Sequence, residues 1–520
     1  MTSSKCQKQL QQAQEYANLG KNDLFLAICE GLANQHIDDA AILVPIARLL
    51  QAYGFSSQAK QVLTRAKTCA PEDHTIRMRL ANTELTLGNL SACEAIYSAL
   101  MTQLPNDLDI LQQSLFLAEY LPNQSNAHLL GMAKRWGNGA IQLAGGPFQR
   151  PPFRDKQSET PLRVGYVSAD FCQHTVGLLL KDVIANHNPD AVEVFTYSSG
   201  LVEDWVTQQI RDQSHFHNIS GLSDRELALL IQDHQIDVLI DLSGHTAGSR
   251  LAAFAYRPAP AQLSWLGYYA STGLDCIDAV LLDRWHVCNS TASQFLERIE
   301  LLPIGRWCYY PAFPVPAPSP PPVLKNGFIT FGSFNNTLKY NPTVYSLWAS
   351  ILHAVPHSKL ILKWRTFNDQ NFVAFVLSQF AQHGIDPSRI ELRGPSFHLQ
   401  MLEEYQDIDI ALDPFPFSGG ITSCEALYMG VPVITWPQER VVSRQTYAFL
   451  SIIQHPELAV DSPKDYLEKA KSLSNDIDAL CEYRNILRLE MIRSPLMQVK
   501  QFTQSLESAI LSIHNRIKES

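Results

Sequence analysis

The sequence predicts an α/β protein in which two doubly wound, parallel-sheet domains follow an all-helical region. Residues 8–130 carry helical patterns without strand alternation, and strand-like apolar runs then alternate with amphipathic segments from residue 161 to residue 435. A proline-rich stretch at 310–322 interrupts this alternation once. Alternating strands and helices are typical of a parallel sheet with helices on both faces, so two such halves indicate two α/β domains.

The composition is that of a globular protein. The 520 residues are 46% hydrophobic and 18% charged, and the net charge of −10 argues against nucleic acid as the main partner. No apolar run reaches the roughly 18 residues of a membrane span, and the first residues lack the apolar core of a signal peptide. The ten cysteines show no metal-binding spacing, so we expect reduced thiols and a cytoplasmic location.

Residues 1–145 are predicted to form a helical repeat region. Gly20, Gly54 and Gly88 are each 34 residues apart, and Pro71 and Pro105 each follow a repeat glycine by 17 residues. A period of 34 with a glycine between paired helices and a late proline is typical of tetratricopeptide (TPR) repeats. Stacked helix pairs form a concave surface that often holds a peptide, although a plain helical bundle with coincident glycines stays open.

The first α/β domain is predicted over residues 160–310, after a linker at 145–160. Its strand candidates are Leu162–Ser168, Val192–Ser198, Ile236–Leu242, Ala261–Gly267 and Ile277–Asp283. His174 and His245 lie in the loops that follow two of these strands, which is the functional edge of such sheets. Each could orient an acceptor or handle a proton. A histidine that only hydrogen-bonds within its loop is the alternative, and these patterns alone favour it.

Residues 311–324 are predicted as a stiff proline-rich linker, 325–493 as the second α/β domain and 494–520 as a helix that crosses back. The strand candidates of this domain are 327–334, 358–364, 389–394, 408–412 and 431–435. Lys339 lies just past the carboxyl end of the first of them. A lysine at this edge could neutralise a phosphate as a point charge, whereas an ordinary surface lysine is the alternative.

The stretch Ile408–Trp436 combines a buried strand, a loop with Gly419 and Gly420, a helix start at Ile421 and a second strand. Free backbone N–H groups at such a helix start suit a phosphate. Thr422 and Glu425 are three residues apart, which fits a structural capping box or a carboxylate that binds a ribose diol. The spacing alone favours the capping box.

One acidic pair has the form of a metal site. Asp407-Ile408-Asp409 matches the D-x-D pattern that binds metal in some sugar transferases. Here the pair enters a buried strand at the edge opposite the functional loops. We therefore interpret it as structural and predict no required metal.

Five ordered stretches resemble the catalytic region of the protein O-GlcNAc transferases, which form glycosyltransferase family 41 and include the plant SPINDLY O-fucosyltransferases. They are RVGYVSADFCQH, LIDLSGHTAGSRLAAFAYRPAPAQLSWLGY, GFITFGSFNNTLK, IALDPFPFSGGITSCEALYMGVPVIT and SPLMQVKQFTQSLE. The resemblance runs from about Pro161 to Glu507. It implies a GT-B fold, with two Rossmann-like domains, a cleft for the nucleotide sugar and a preceding all-α TPR-like region. It also implies inversion at the anomeric carbon without metal or cofactor.

The resemblance assigns roles to individual residues. Lys339 matches a lysine that contacts the donor diphosphate, Thr422 a phosphate-binding threonine and Glu425 a ribose-binding acid. Asn336 matches a residue on the base or phosphate side. His174 matches a histidine near donor and acceptor, and His245 stands where animal members have tyrosine. The other implied donor-binding residues are Ser396, His398, Met401, Gly419, Gly420 and Ile421.

Three donor-side positions depart from the family pattern. Gly420 replaces a phosphate-side histidine of the animal enzymes, so backbone N–H groups must do that work. Ile421 replaces a threonine. Met401 stands where many members have a histidine against the uracil ring; a thioether also packs on a base, but the preference for uracil over guanine is then open.

The implied reaction moves N-acetylglucosamine from UDP-N-acetylglucosamine to a serine or threonine hydroxyl of a protein held by the cleft and the TPR-like region. Three alternatives stay open. The enzyme could use GDP-fucose on the same acceptors, or transfer glucose from UDP-glucose to asparagine. It could also be a catalytically inactive, peptide-binding repeat protein.

Overall fold

The computed structural model describes residues 4–154, 160–311 and 314–519. Residues 155–159 and 312–313, which belong to the two predicted linkers, lie outside the described residues. The chain divides into two compact units. The first consists of the chain up to Pro105, Pro322–Pro414 and Ala470–Asn475, and the second of Asn106–Pro321, Phe415–Lys469 and Asp476–Ser520.

Among the described residues, eight helices precede the first strand. Helices α1 to α8 span Ser4–Asn18, Asn22–Gln35, Ala40–Ala52, Ser56–Cys69, His74–Thr86, Leu90–Gln103, Leu108–Ala118 and Asn126–Ala144. The three repeat glycines occupy the turns α1–α2, α3–α4 and α5–α6, with φ of +70° at Gly20, +88° at Gly54 and +77° at Gly88. These angles lie in the left-handed region that glycine adopts at little cost, which explains the glycine at each turn of the period.

The first unit combines α1–α6 with most of the second sheet. Strands β8 to β12 span Thr330–Ser333, Lys359–Lys363, Ile390–Arg393, Ile410–Leu412 and Val433–Ile434, and the sheet has the order β10-β9-β8-β11-β12. The pairings of β8 with β9, of β8 with β11 and of β9 with β10 are all parallel. Their side chains are largely buried, which is typical of a parallel sheet covered on both faces.

The second unit contains the first sheet and helices α7 and α8. Strands β1 to β7 span Leu162–Ser168, Val192–Ser198, His215–Asn218, Val238–Asp241, Ala261–Ser264, Ala279–Asp283 and Arg298–Leu302. All are parallel, in the order β3-β2-β1-β4-β5-β6-β7. Helix α8 packs closely on this domain, because a Cβ atom at Gly137 would lie only 1.9 Å from the carbonyl oxygen of Gly273.

Thirteen further α-helices complete the described residues. Helices α9 to α12 span Thr175–Ala185, Trp205–Arg211, Asp224–Asp233 and Leu251–Phe254. Helices α13 to α21 span Val323–Asn326, Pro342–Ala354, Gln370–Gln382, His398–Glu403, Ile421–Tyr428, Gln445–Ile452, Pro463–Ser474, Ile477–Arg493 and Val499–Glu519. None of the helices in the described ranges is both long and apolar enough for a membrane span.

The last helix packs on the first sheet. In α21, Phe502 stacks with Trp265 at 6.3 Å between ring centroids, and Glu507 Oε1 lies 2.9 Å from His187 Nδ1. Tyr166, on the central strand β1, bonds to the same histidine at 2.9 Å. The C-terminal helix therefore packs on the first α/β domain.

The D-x-D pair has structural partners. Asp409 is 1% exposed and accepts hydrogen bonds from the backbone N–H groups of Val323, at 3.0 Å, and Thr330, at 2.8 Å. Asp407 forms an ion pair with Arg393 at 2.8 Å. These contacts support the structural interpretation of the pair.

Candidate active site

Lys339 ends a short 3₁₀ turn, Thr337–Lys339, that follows strand β8. The side chain of Asn336 caps this turn by accepting from the N–H of Leu338 at 3.1 Å. The Lys339 ammonium lies 3.3 Å from the side-chain oxygen of Asn335. Two of the predicted site residues, Asn336 and Lys339, thus lie in one capped turn at the carboxyl end of the strand.

The surroundings of Lys339 change the pKa of its ammonium group. Burial lowers the pKa of the ammonium to about 8, and the carboxylate of Asp413 partly opposes this shift. Asp413 follows β11, which is the neighbour of β8 in the sheet. A lysine whose charge is incompletely solvated gains more from a bound anion than a fully hydrated one does.

Ser396, His398 and Met401 lie on the segment that follows β10. Ser396 Oγ donates to Glu404 at 2.8 Å, and Lys363, at the end of β9, pairs with the same carboxylate at 2.8 Å. His398 begins helix α16, and the N–H of Met401 donates to the carbonyl of Phe397 at 2.9 Å. All three predicted residues are half-buried and follow the carboxyl end of a strand.

The glycine turn presents free amide groups at the start of α17. The carbonyl of Gly420 accepts from the N–H of Ser423 at 3.0 Å and of Cys424 at 3.3 Å. Within the described parts of the chain, the N–H groups of Gly420 and Ile421 have no hydrogen-bond partner. Two unpaired amides at a helix N-terminus, where the helix dipole is positive, form a site suited to an anion.

Helix α18 fixes the carbonyl groups of this turn. The carbonyl oxygen of Ser418 accepts from Gln445 Nε2 at 3.1 Å, and that of Gly419 accepts from Thr446 Oγ1 at 3.2 Å. These two carbonyl groups are thus held by α18, while the N–H groups of Gly420 and Ile421 have no hydrogen-bond partner among the described residues. Gly420 is also closely packed, because a Cβ atom there would lie 3.2 Å from Gln445 Oε1.

The capping-box interpretation of Thr422 and Glu425 is wrong. The helix begins at Ile421, so Gly420 occupies the N-cap position, and its cap has no side-chain hydrogen bond. Thr422 therefore lies inside the first turn, and Glu425, which is 3% exposed, lies one turn further along. The glycine allows the helix to start two residues earlier than the spacing of the two side chains suggests.

An aromatic and cationic cluster adjoins the glycine turn. Tyr269, in the loop after β5, donates its hydroxyl proton to Gln445 Oε1 at 2.5 Å. The guanidinium of Arg306 lies 4.4 Å from the Tyr269 ring centroid and is 1% exposed. The indole of Trp307 reaches 4.0 Å from the Cβ position of Gly420. Only the fold brings these distant segments together, so no sequence motif could have indicated them.

His174 caps the helix that follows the first strand. Its Nδ1 accepts weakly from the N–H of Val176, at 3.5 Å, and lies 3.6 Å from a carboxylate oxygen of Asp170. The imidazole is about half exposed, at 52% of its side-chain surface. Burial raises the pKa of Asp170, and nearby His174 partly offsets this effect. The histidine of this pair is open to solvent, and the sequence patterns did not indicate its contact with Asp170.

His245 is buried rather than exposed. Its Nε2 bonds to the carbonyl oxygen of Thr272 at 3.0 Å, and its ring makes edge contacts with Trp136 at 4.7 Å and Tyr268 at 5.3 Å. Burial lowers the pKa of this imidazole to about 3, so it is neutral near pH 7. Because the Nε2 proton is donated to Thr272, His245 acts here as an oriented, neutral packing group.

The described residues contain no group of three histidine, cysteine, aspartate or glutamate side chains that could hold a metal ion. All ten cysteines, each of which lies in the described ranges, are free thiols. The hydrogen-bond donors at the Thr337–Lys339 turn and at the glycine turn are an ammonium and backbone amides. Such groups bind anions rather than cations.

Comparison with known proteins places the chain in a family. The model of glycosyl transferase family 41 matches residues 140–307 and 323–506. The chain belongs to glycosyltransferase family 41. This match, together with the two parallel sheets and the preceding helices, confirms the predicted family and fold class.

Several family 41 proteins are similar over most of this chain. An O-GlcNAc transferase of Thermobaculum terrenum, solved as a lysine-to-methionine variant, has a TM-score of 0.90 at 27% identity, covering 100% of this chain and 99% of that one. The SPINDLY protein of Petunia hybrida, named a probable UDP-N-acetylglucosamine–peptide N-acetylglucosaminyltransferase, is 34% identical over 79% of this chain and 45% of its own length. The SEC protein of Arabidopsis thaliana, which has the same enzyme name, is 28% identical over 71% of this chain and 39% of its own length. This family 41 chain thus spans less than half the length of those curated relatives.

Proposed function

We propose that this family 41 chain is an inverting glycosyltransferase that moves N-acetylglucosamine from UDP-N-acetylglucosamine to serine or threonine hydroxyls of proteins. The observation that carries the proposal is the pair of unpartnered amides of Gly420 and Ile421 at the start of α17. A backbone site of this kind binds phosphoryl groups. The names of the relatives from Petunia and Arabidopsis, and that of the Thermobaculum enzyme, supply the donor and the kind of acceptor.

In the proposed reaction, the acceptor oxygen forms a bond to the anomeric carbon as the bond from that carbon to the β-phosphate oxygen breaks. UDP leaves with the electron pair, so negative charge grows on its β-phosphate. The Lys339 ammonium and the amides of Gly420 and Ile421 each stabilise that charge. Preorganised donors of this kind are typically worth about 2.7–4 kcal/mol each in other enzymes.

Other predicted residues bind the rest of the donor in this proposal. Glu425 accepts hydrogen bonds from the ribose hydroxyls, and Thr422 donates to a phosphate oxygen. Asn336, Ser396, His398 and Met401 lie on the base side or phosphate side, with the thioether of Met401 packing on the uracil ring. Gly419, which has no side chain, allows the backbone of the turn to lie close to the diphosphate.

In this proposal the acceptor proton leaves through the half-exposed His174 and its neighbour Asp170, or passes to a phosphate oxygen of the donor. His174 is the better candidate of the two predicted histidines, because His245 is buried and already bonded through Nε2. We assign His245 the role of holding the loop after β4. Helices of the TPR-like region hold the protein acceptor, no metal or cofactor takes part, and the enzyme acts in the cytoplasm.

A thermal-shift comparison of nucleotides tests the donor. We expect UDP and UDP-N-acetylglucosamine to raise the melting temperature, with little effect of GDP, because ligand bound to the folded state alone stabilises it. Stabilisation by GDP and GDP-fucose alone would favour the fucosyltransferase alternative, and no response to any nucleotide would favour the inactive repeat protein. UDP-dependent transfer of labelled sugar to serine-containing rather than asparagine-containing peptides completes the test.

A further inference from the structure

The three repeat glycines have different surroundings. A Cβ atom added at Gly20 would meet nothing within 4 Å. At Gly54 it would lie 2.1 Å from the carbonyl oxygen of Arg365, and at Gly88 it would lie 2.7 Å from the ring of Phe375. The second and third repeat turns therefore pack tightly against the α/β part of the first unit, whereas the first turn has no neighbour at its glycine.

The turn of the second repeat packs against residues 365–369. Besides the contact of Gly54 with the main chain of Arg365, the side-chain amide of Asn368 donates to the carbonyl of Tyr53 at 3.3 Å. The N–H of Ser57, at the start of α4, donates to Asp369 at 2.6 Å. Asp369 is fully buried and its other oxygen caps α15. Main-chain contact and buried hydrogen bonds fix the position of this segment.

The same segment holds the turn that carries Lys339. Thr366 Oγ1 lies 2.9 Å from Thr337 Oγ1, and both side chains are nearly fully buried. Thr337 opens the 3₁₀ turn that Lys339 closes. Helix α5 of the third repeat also approaches this turn. A continuous set of contacts thus runs from the Gly54 turn through Thr366 and Thr337 to Lys339.

We propose that the second repeat hairpin, α3 to α4, is a positioning element for Lys339 and therefore for the donor diphosphate. This inference rests on the proposed function, which makes Lys339 a diphosphate ligand. Gly54, Asn368 and Asp369 touch no substrate in this account, and they act by fixing the 365–369 segment. A small displacement of a charged group costs affinity because binding depends on its distance and direction. The repeats thus support the donor site as well as any acceptor surface.

The chain offers a matched pair of variants for the test. Gly20→Ala and Gly54→Ala both place alanine at a left-handed turn, so they share the backbone strain, but only Gly54→Ala meets Arg365. UDP affinity is measured by calorimetry on the full chain for both variants. We expect Gly54→Ala to weaken UDP binding by roughly 2- to 30-fold relative to Gly20→Ala, the range of coupling between contiguous sites. Asn368→Ala removes the hydrogen bond to Tyr53 without adding atoms, and we expect it to weaken UDP binding as well. It replaces Gly54→Ala in the test if that variant does not fold.

A double-mutant cycle with Lys339→Met separates positioning from general structural damage. If the hairpin acts through Lys339, the Gly54→Ala effect on UDP binding disappears when Lys339 is already methionine. Equal UDP affinity of Gly54→Ala, Asn368→Ala and Gly20→Ala would overturn the inference, as would a Gly54→Ala loss that persists fully in the Lys339→Met background. Failure of the unmodified protein to bind UDP would instead overturn the proposed function, so the two failures are distinguishable.

Discussion

The ammonium of Lys339 lies 3.3 Å from the side-chain oxygen of Asn335. Both residues follow strand β8, and the contact helps to orient the ammonium. Burial lowers the pKa of this lysine to about 8, although Asp413 acts in the opposite direction. A phosphate bound at this strand end would stabilise the charged form of Lys339.

Lys339→Met is expected to reduce sugar transfer by about 100- to 1,000-fold while leaving the fold intact, as loss of one preorganised donor does elsewhere. The measurement is the turnover rate with UDP-N-acetylglucosamine, together with the melting temperature. Lys325→Met is the matched control, because Lys325 is an exposed lysine on the short helix α13. Near-normal turnover of Lys339→Met would remove this lysine from the mechanism.

The pH dependence follows from the same pKa. Lys339 is charged below about pH 8 and neutral above it, so kcat/KM should fall as the pH rises through about 8. In Lys339→Arg the guanidinium stays charged over this range, so its residual activity should not show that decline. A wild-type profile that stays flat from pH 7 to pH 10 would show that the charge of Lys339 is not needed.

Glu425→Ala is expected to weaken UDP binding by about 10- to 150-fold, because each hydrogen bond to a charged group is worth about 1.5–3 kcal/mol. The proposed partner is the ribose diol, so 2′,3′-dideoxy-UDP should bind both forms almost equally. Calorimetric titration of both nucleotides makes the comparison, with Glu425→Gln as an isosteric control. An equal loss for the two nucleotides would show that Glu425 acts on the helix rather than on the ribose.

Much of the fold could be predicted from the sequence because buried parallel strands give uninterrupted apolar runs. Strands β1 and β2 have the predicted bounds. Strands β3 and β7 were missed because their residues, His215–Asn218 and Arg298–Leu302, are mostly exposed or half-buried and carry polar side chains. Edge strands of this kind lack the apolar signal.

The candidate site was accessible only in part. Lys339 and the glycine turn follow strands directly, so their positions relative to strand ends could be inferred from local order. Tyr269 and Gln445 are 176 residues apart and meet only in the folded chain. The start of α17 at Ile421 was predicted, whereas the interpretation of Thr422 as its cap was wrong, because a glycine N-cap leaves no side-chain signature.

His245 should affect acid stability rather than the pH profile of catalysis. Its pKa is lowered to about 3 in the folded protein, whereas an unfolded histidine binds a proton near pH 6.5. The unfolded state therefore binds more protons below pH 6.5, and stability is lost as the pH falls from there towards 3. At pH 5 this loss amounts to about 2 kcal/mol, at about 1.4 kcal/mol per pH unit. Urea unfolding of wild type and His245→Gln at pH 7 and pH 5 measures it, and equal losses in both proteins would contradict the assignment.

The most direct test of the central claim, that Lys339 binds the β-phosphate of the donor, is the affinity ratio of UDP to UMP in wild type and in Lys339→Met. We expect wild type to bind UDP about 10- to 100-fold more tightly than UMP, since the additional phosphate gains a charge-assisted contact. Lys339→Met should lose most of this preference while its UMP affinity changes little. A variant that keeps the full preference for UDP would contradict the account.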